Sequence, residues 1–265
     1  LLLNEIPTNV SDNLYLVMHS LNYEKFPLFN LKNSYFSKVM DGLFHFRGVS
    51  NAEVIARLTI TEKTSLYAEV VQIAHFYDFV YWQIENCTEF RDFKKFYATY
   101  TYEIKLLFDY WMGYLRQGIV INLVPFLAVI KFMFEHDRDD TLFSCGYGRG
   151  MVYVQTNGMC FACSDNVGSQ IHKIGSLDQG IKMPKPTLMD IKCANCSYRP
   201  LCMGRCGRMH KEFTNSHIAE YCALNQFMFD LFIKNKSELE EIYNQSNILK
   251  TRLKSDALEY TEFTP

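Results

Sequence analysis

Eight of the nine cysteines fall between residues 145 and 222. Five of them read Cys193-x2-Cys196-x5-Cys202-x3-Cys206, then a gap of fifteen residues, then Cys222; Cys145, Cys160 and Cys163 precede them. Eight thiolates are what two four-cysteine metal centres need. The two-residue gaps in Cys160–Cys163 and Cys193–Cys196 are chelate spacings, because a short turn brings both sulfurs to one ion or one cluster edge. A disulfide framework belongs to small secreted chains that cannot build a core. This chain has 265 residues, 48% of them hydrophobic, and confines its cysteines to about a third of its length. A metal reading therefore outweighs disulfides and implies a reducing, cytoplasmic compartment. The ninth cysteine, Cys87, reads as a buried apolar residue.

Zinc and iron–sulfur both use such cysteines. Zinc sites pair closely spaced ligands on tight knuckles, and Cys193-x2-Cys196 with Cys202-x3-Cys206 could serve. Four cysteines at short, unequal gaps fit the ferredoxin pattern better, in which three hold one cluster and the last reaches another. On that logic one cluster takes Cys193, Cys196, Cys202 and the distant Cys222. The other takes Cys206 with Cys145 and Cys163, and Cys160 is the candidate for its fourth position. Glycines surround the site, and glycine lets backbone N–H groups approach cluster sulfides. Gly146-x-Gly148-x-Gly150 opens no βαβ unit and is not a dinucleotide loop. The seven histidines show no mutual metal spacing. His210 and His217 lie near enough to the cysteines to tune a cluster. Arg149, Arg205 and Arg208 either offset cluster charge or bind an acidic group of a peptide.

The elements that must carry these residues differ between the two halves. The first half alternates strand-like runs (Asn13–His19, Val54–Ile60, Phe79–Ile84, Ile119–Val124) with helical spacing over 33–43, Thr64–Phe76, about 89–117 and beyond Pro125. Thr64 is the expected cap of the second helix. Such alternation predicts βαβ units and a parallel sheet, with ligands at the carboxyl ends of the strands. There Glu85 is a candidate base. The second half turns to glycine, cysteine and short strands, with Met151–Gln155 running into a hairpin at Asn157-Gly158. Helices are expected over His217–Ile233 and 237–254. A net charge of −2 argues against a nucleic-acid surface. The longest apolar stretch, Ile119–Phe134, is broken by Asn122, Pro125 and Lys131 and makes a poor membrane span.

The pattern Cys145-x12-Gly158-x4-Cys163, Cys193-x2-Cys196-x5-Cys202-x3-Cys206, Cys222 resembles the seven-cysteine signature of SPASM domains, the C-terminal extensions of radical S-adenosylmethionine (radical SAM) enzymes that modify ribosomal peptides or proteins. Such domains bind two auxiliary 4Fe–4S clusters, shared as above; the extra Cys160 departs from the minimal pattern and puts direct substrate ligation of the first cluster in doubt. The first half is similar to the later part of a radical SAM partial (β/α) barrel. Ser20-Leu21 resembles an element that contacts the cosubstrate, although Asn22-Tyr23 stands where Asp-Gly is usual, and the strand with Arg57 looks like the next barrel strand. Ser20 and Arg57 are the implied S-adenosylmethionine contacts.

The resemblance implies an α/β fold: barrel over 1–138, a cysteine-rich α+β SPASM domain with a β-hairpin over 139–228, and a helical tail over 229–265. It implies a 5′-deoxyadenosyl radical acting on a peptide or protein, auxiliary clusters relaying electrons, and a donor such as a flavodoxin or ferredoxin. The Cys-x3-Cys-x2-Cys that holds the third, catalytic 4Fe–4S cluster in such enzymes has no counterpart before Cys87. The Leu-Leu-Leu opening favours a fragment starting after the first barrel strands over a degenerate protein. The competing function is a zinc-stabilised interaction module without catalysis.

Overall fold

The structure, a computed structural model, describes residues 3, 16–21, 34–85, 90–135, 147, 152–164, 168–182, 193 and 195–258. Cys87, Cys145, Arg149 and the glycines at 146, 148 and 150 lie outside the described residues, as does Asn22-Tyr23. The chain divides into two units: Leu1–Glu85, Asp92–Ala128 and Lys234–Thr261 in the first, and Asn86–Arg91, Val129–Ile233 and Glu262–Pro265 in the second.

The first unit holds a three-stranded parallel sheet, β1 (Leu16–Leu21), β2 (Glu53–Ile60) and β3 (Phe79–Ile84), in sequential order. Helix α1 (Ser34–Val49) joins β1 to β2, and α2 (Leu66–Ile73) joins β2 to β3. These are the βαβ units that the alternation predicts. Val54, Ile55, Ala56, Leu58 and Ile60 are all buried, the near-continuous apolar run of a strand covered on both faces. Asp92 caps α3 (Phe93–Leu115) by accepting from Lys95 N at 3.0 Å. Its buried stripe runs Phe96, Tyr100, Ile104, Leu107, Phe108 and Trp111 at helical spacing. Phe126, at the start of α4 (Val124–Phe134), packs edge-on against Trp82 at 5.3 Å and against Trp111 at 5.4 Å.

Two expectations fail locally. Ile119–Val124 makes a single bridge, Leu123 to Val80, rather than a strand. Ile121 gives its carbonyl to Trp111 Nε1 at 2.9 Å instead of to a ladder, and Pro125, suited to a first helical turn, starts α4 at once. Nor does Thr64 cap α2: its Oγ1 accepts from Thr61 N at 3.1 Å to close a turn. The first-turn N–H of Tyr67 is met instead by Glu103 of α3, at 3.4 Å, and Ser65 Oγ donates to the other oxygen of that carboxylate at 2.9 Å. Glu69, one turn on, is 5% exposed and its Oε2 has no hydrogen-bond partner. Burial foremost, and the charge of Glu103 after it, push the Glu69 carboxyl up to about 8.

The expected 237–254 helix is two helices, α8 (Lys236–Gln245) and α9 (Asn247–Leu253), preceded by the longer α7 (Asn215–Lys234). Ser246 breaks the pair, its backbone extended and its Oγ capping Leu249 N at 3.1 Å. Both short helices belong to the first unit. Arg116 forks onto Glu238 at 2.6 and 3.0 Å, and Ser255 Oγ donates to Glu53 at 2.7 Å.

The second unit carries a four-stranded antiparallel sheet: β4 (Tyr153–Val154), β5 (Met159–Phe161), β6 (Lys173–Ser176) and β7 (Gly180–Ile181). The β4–β5 hairpin turns at Thr156–Gly158, with Gly158 at φ +79°, a conformation glycine adopts freely. Among the described residues no helix is long and apolar enough to cross a membrane.

Candidate metal centre

Cys193, Cys196, Cys202 and Cys222 line one cavity of about 350 Å³, measured with its open mouth. Three local devices bring them together. Cys196 N donates to Cys193 O at 3.2 Å and Arg199 N to Cys196 O at 3.1 Å, winding the first pair into successive turns. Helix α5 (Arg199–Cys202) then delivers Cys202 and stops at Met203, which is left-handed at φ 49°. Gly204 and Arg205 stay left-handed at φ 75° and 56°, reversing the chain before Cys206. Two non-glycine exceptions on either side of a glycine are costly backbone, of the kind that a structure keeps where it must hold a site. Cys222 comes from α7. Asn225, Gln226 and Phe229, three, four and seven residues further on, share its helix face and line the same cavity. Tyr198 ties the cysteine turns to that helix, donating to Asp230 Oδ1 at 2.8 Å and stacking on Phe229.

Burial and mutual proximity act on these thiols together. Burial foremost, then the charges of Cys222 and Cys193, push the Cys202 thiol up to about 12; Arg205 and the backbone N–H of Gly204 act the other way. Cys222 is raised too, by burial and by Cys196, and Arg205 again opposes. Arg205 is itself buried, its guanidinium 4.4 Å above the Tyr221 ring. His210 stands beside these thiols, with Nε2 2.9 Å from Gly204 O and 3.9 Å from Cys193 Sγ. His217 instead bonds Glu220 at 2.8 Å and packs among Phe90, Phe213 and Tyr221.

Of the other proposed set, Cys160 is fully buried on β5 and packs in one cluster with Tyr147, Ala162 and Ile174, with Cys163 against it. Cys206 is buried, and its neighbour Gly207 lies so close to the Tyr147 ring that a β-carbon there would run into it. Tyr147 thus sits between the two cysteine-bearing segments. A chain of hydrogen bonds locks it: Tyr147 Oη to His172 Nδ1 at 2.6 Å, His172 Nε2 to Glu212 of α6 (Met209–Glu212) at 2.8 Å, and Arg208 Nε to Glu212 at 2.7 Å. Burial acts to raise Glu212, but hydrogen bonds from Arg208 and His172 hold it below its ordinary value. Sequence reasoning missed this network, since nothing in residue spacing joins Tyr147 to His172. The seven described cysteines form no disulfide with one another. Among the described residues no group of three or more His, Cys, Asp or Glu side chains forms a site for a metal ion.

In the first unit, Ser20 and Arg57 are register partners across β1 and β2 and so lie on one face of the sheet. Ser20 is exposed, and Arg57 Nη2 donates to Gln83 Oε1 at 2.6 Å. Glu85 is exposed just past β3, its N–H donating to Ile60 O at 2.9 Å.

The α/β fold described above is shared with solved structures. Those structures are of anSMEcpe. A histidine-tagged form with bound AdoMet superposes with a TM-score of 0.66 at 17% identity, over 98% of this chain and 74% of that one. The native form with AdoMet and the Kp18Cys peptide gives 0.66 at 18%, over 89% and 71%. With AdoMet and the Cp18Cys peptide it gives 0.65 at 17%, over 91% and 74%. At such identities the likeness is one of fold. No family model matches the sequence, and no curated protein does.

Proposed function

We propose that this chain belongs to an iron–sulfur enzyme that modifies a peptide or protein with S-adenosylmethionine as cosubstrate, through a 5′-deoxyadenosyl radical. The observation that carries the reading is the convergence of Cys193, Cys196, Cys202 and Cys222 on one cavity in a chain with this fold. The bound AdoMet and peptides of the neighbouring structures support the choice of cosubstrate and substrate class. In this reading the first unit takes the barrel role and the second holds the auxiliary centres.

The donor set favours a cluster over zinc. Zinc–sulfur bonds of about 2.3 Å in a tetrahedron put thiolates roughly 4 Å apart. Four of the described cysteines line one cavity, at the short, unequal sequence gaps that fit a cluster better than paired zinc knuckles. An iron–sulfur cluster, being larger, takes its thiolates further apart, and when bound it supplies electron transfer. Cys193, Cys196, Cys202 and Cys222 would hold one. Cys145, Cys163, Cys206 and Cys160 would hold the other, with Tyr147 fixing the segments that carry Cys160 and Cys206. Arg205 offsets the negative charge of the thiolates. Ser20 and Arg57, register partners on one face of the sheet, would bind S-adenosylmethionine, and Glu85, at a strand end, would accept a proton from the substrate. A reducing compartment and a small electron-carrier protein follow from the same chemistry.

Iron and acid-labile sulfide on anaerobically reconstituted protein test the reading. About eight of each per chain are expected for two four-iron centres. About two zincs and no sulfide would overturn it in favour of a structural zinc module.

A further inference from the structure

Asn225 is 2% exposed, and its side chain lines the cavity shared by Cys193, Cys196, Cys202 and Cys222. One N–H of its carboxamide donates to Tyr221 O at 3.1 Å, which fixes the end that carries nitrogen. That carbonyl is one turn back on the same helix, where an ordinary backbone N–H already reaches it. The bond therefore adds little to α7. Oδ1 has no hydrogen-bond partner, and Tyr221 O takes only one of the two N–H groups. A leucine has the same shape and leaves no buried polar atom unmet.

We propose that Asn225 tunes the centre held by these four cysteines: its remaining N–H is a hydrogen-bond donor toward the sulfurs and raises the reduction potential. The proposal rests on the iron–sulfur reading above. Reduction adds negative charge to a group whose thiolate ligands are already anionic, and a donor to sulfur stabilises the more negative state. Arg205 acts on the same thiols through its charge. Asn225 acts by hydrogen bonding, without a charge of its own.

The test is a redox titration, followed by electron paramagnetic resonance, of the reconstituted full chain and Asn225→Leu. The signal of this centre is the one that Cys222→Ser abolishes. Unchanged iron and sulfide with a more negative midpoint potential in Asn225→Leu is the expected result. Unchanged iron with the wild-type potential overturns the proposal and leaves the cluster reading standing. Wild-type protein that takes up no iron or sulfide overturns both. Should Asn225→Leu fail to fold, wild-type chain labelled with 15N at asparagine decides: a nitrogen hyperfine coupling on the reduced centre is expected, and its absence overturns the proposal.

Discussion

Glu69→Gln isolates one buried acid. Glu69 is 5% exposed and shares its surroundings with Glu103, whose two oxygens already serve Ser65 and Tyr67. Its folded-state pKa is raised from 4.5 to about 8, by burial first and by Glu103 second. A raised pKa means that the folded state holds a proton that the unfolded chain gives up. The stabilisation is therefore complete below the unfolded value and is lost as pH rises through the folded one. A group moving from 4.5 to about 8 loses about 4 kcal/mol between pH 5 and pH 9, at roughly 1.4 kcal/mol per unit. Glutamine is neutral throughout and nearly the same shape. At pH 5 the two proteins should unfold at similar denaturant concentrations. At pH 9 the variant should be the more stable by about 4 kcal/mol, a gap of roughly 10 °C in a thermal melt. The assay is paired chemical denaturation across that range, read by the fluorescence of Trp82 and Trp111, which both lie in the first unit. Curves that stay parallel from pH 5 to pH 9 would refute a protonated Glu69.

Gly207→Ala drives a β-carbon into the Tyr147 ring; overpacking of this kind costs about 1–3 kcal/mol, and both the melting temperature and the iron content of reconstituted protein should fall. Cys222→Ser removes one of the four sulfurs at the cavity and should lower iron from about eight to about four per chain, measured by metal analysis. Phe126→Ala empties a buried site between Trp82 and Trp111 and should cost about 3–5 kcal/mol, with a change in tryptophan emission but no loss of iron per folded chain.

Strands β2 and β3 and helices α3 and α7 could be read from sequence because each carries its own signal: a buried β-branched run, or an apolar stripe at helical spacing. The hairpin at Asn157-Gly158 was legible for the same reason. What failed depended on distant partners. The start of α2 is set by Glu103, some forty residues downstream in the chain, and Ile119–Val124 loses its strand because Trp111 takes a carbonyl. Cysteine spacing put Cys193, Cys196, Cys202 and Cys222 in one group, and the structure has them lining one cavity; what they bind is the proposal above. Asn225 and the Tyr147–His172–Glu212 chain left no trace in spacing, since each is an ordinary residue made special only by where the fold puts it.

The first unit is written in three pieces of chain, and the last of them, Lys234–Thr261, follows the whole of the cysteine-bearing segment. During synthesis from the N-terminus, the strands β1 to β3 emerge long before α8 and α9, the helices that bring Glu238 to Arg116 and Ser255 to Glu53. All of the cysteines therefore leave the ribosome while the first unit still lacks its closing helices. The order of translation opens an interval in which thiols are present on an incomplete protein, and cofactor delivery within that interval would precede closure of the first unit rather than follow it.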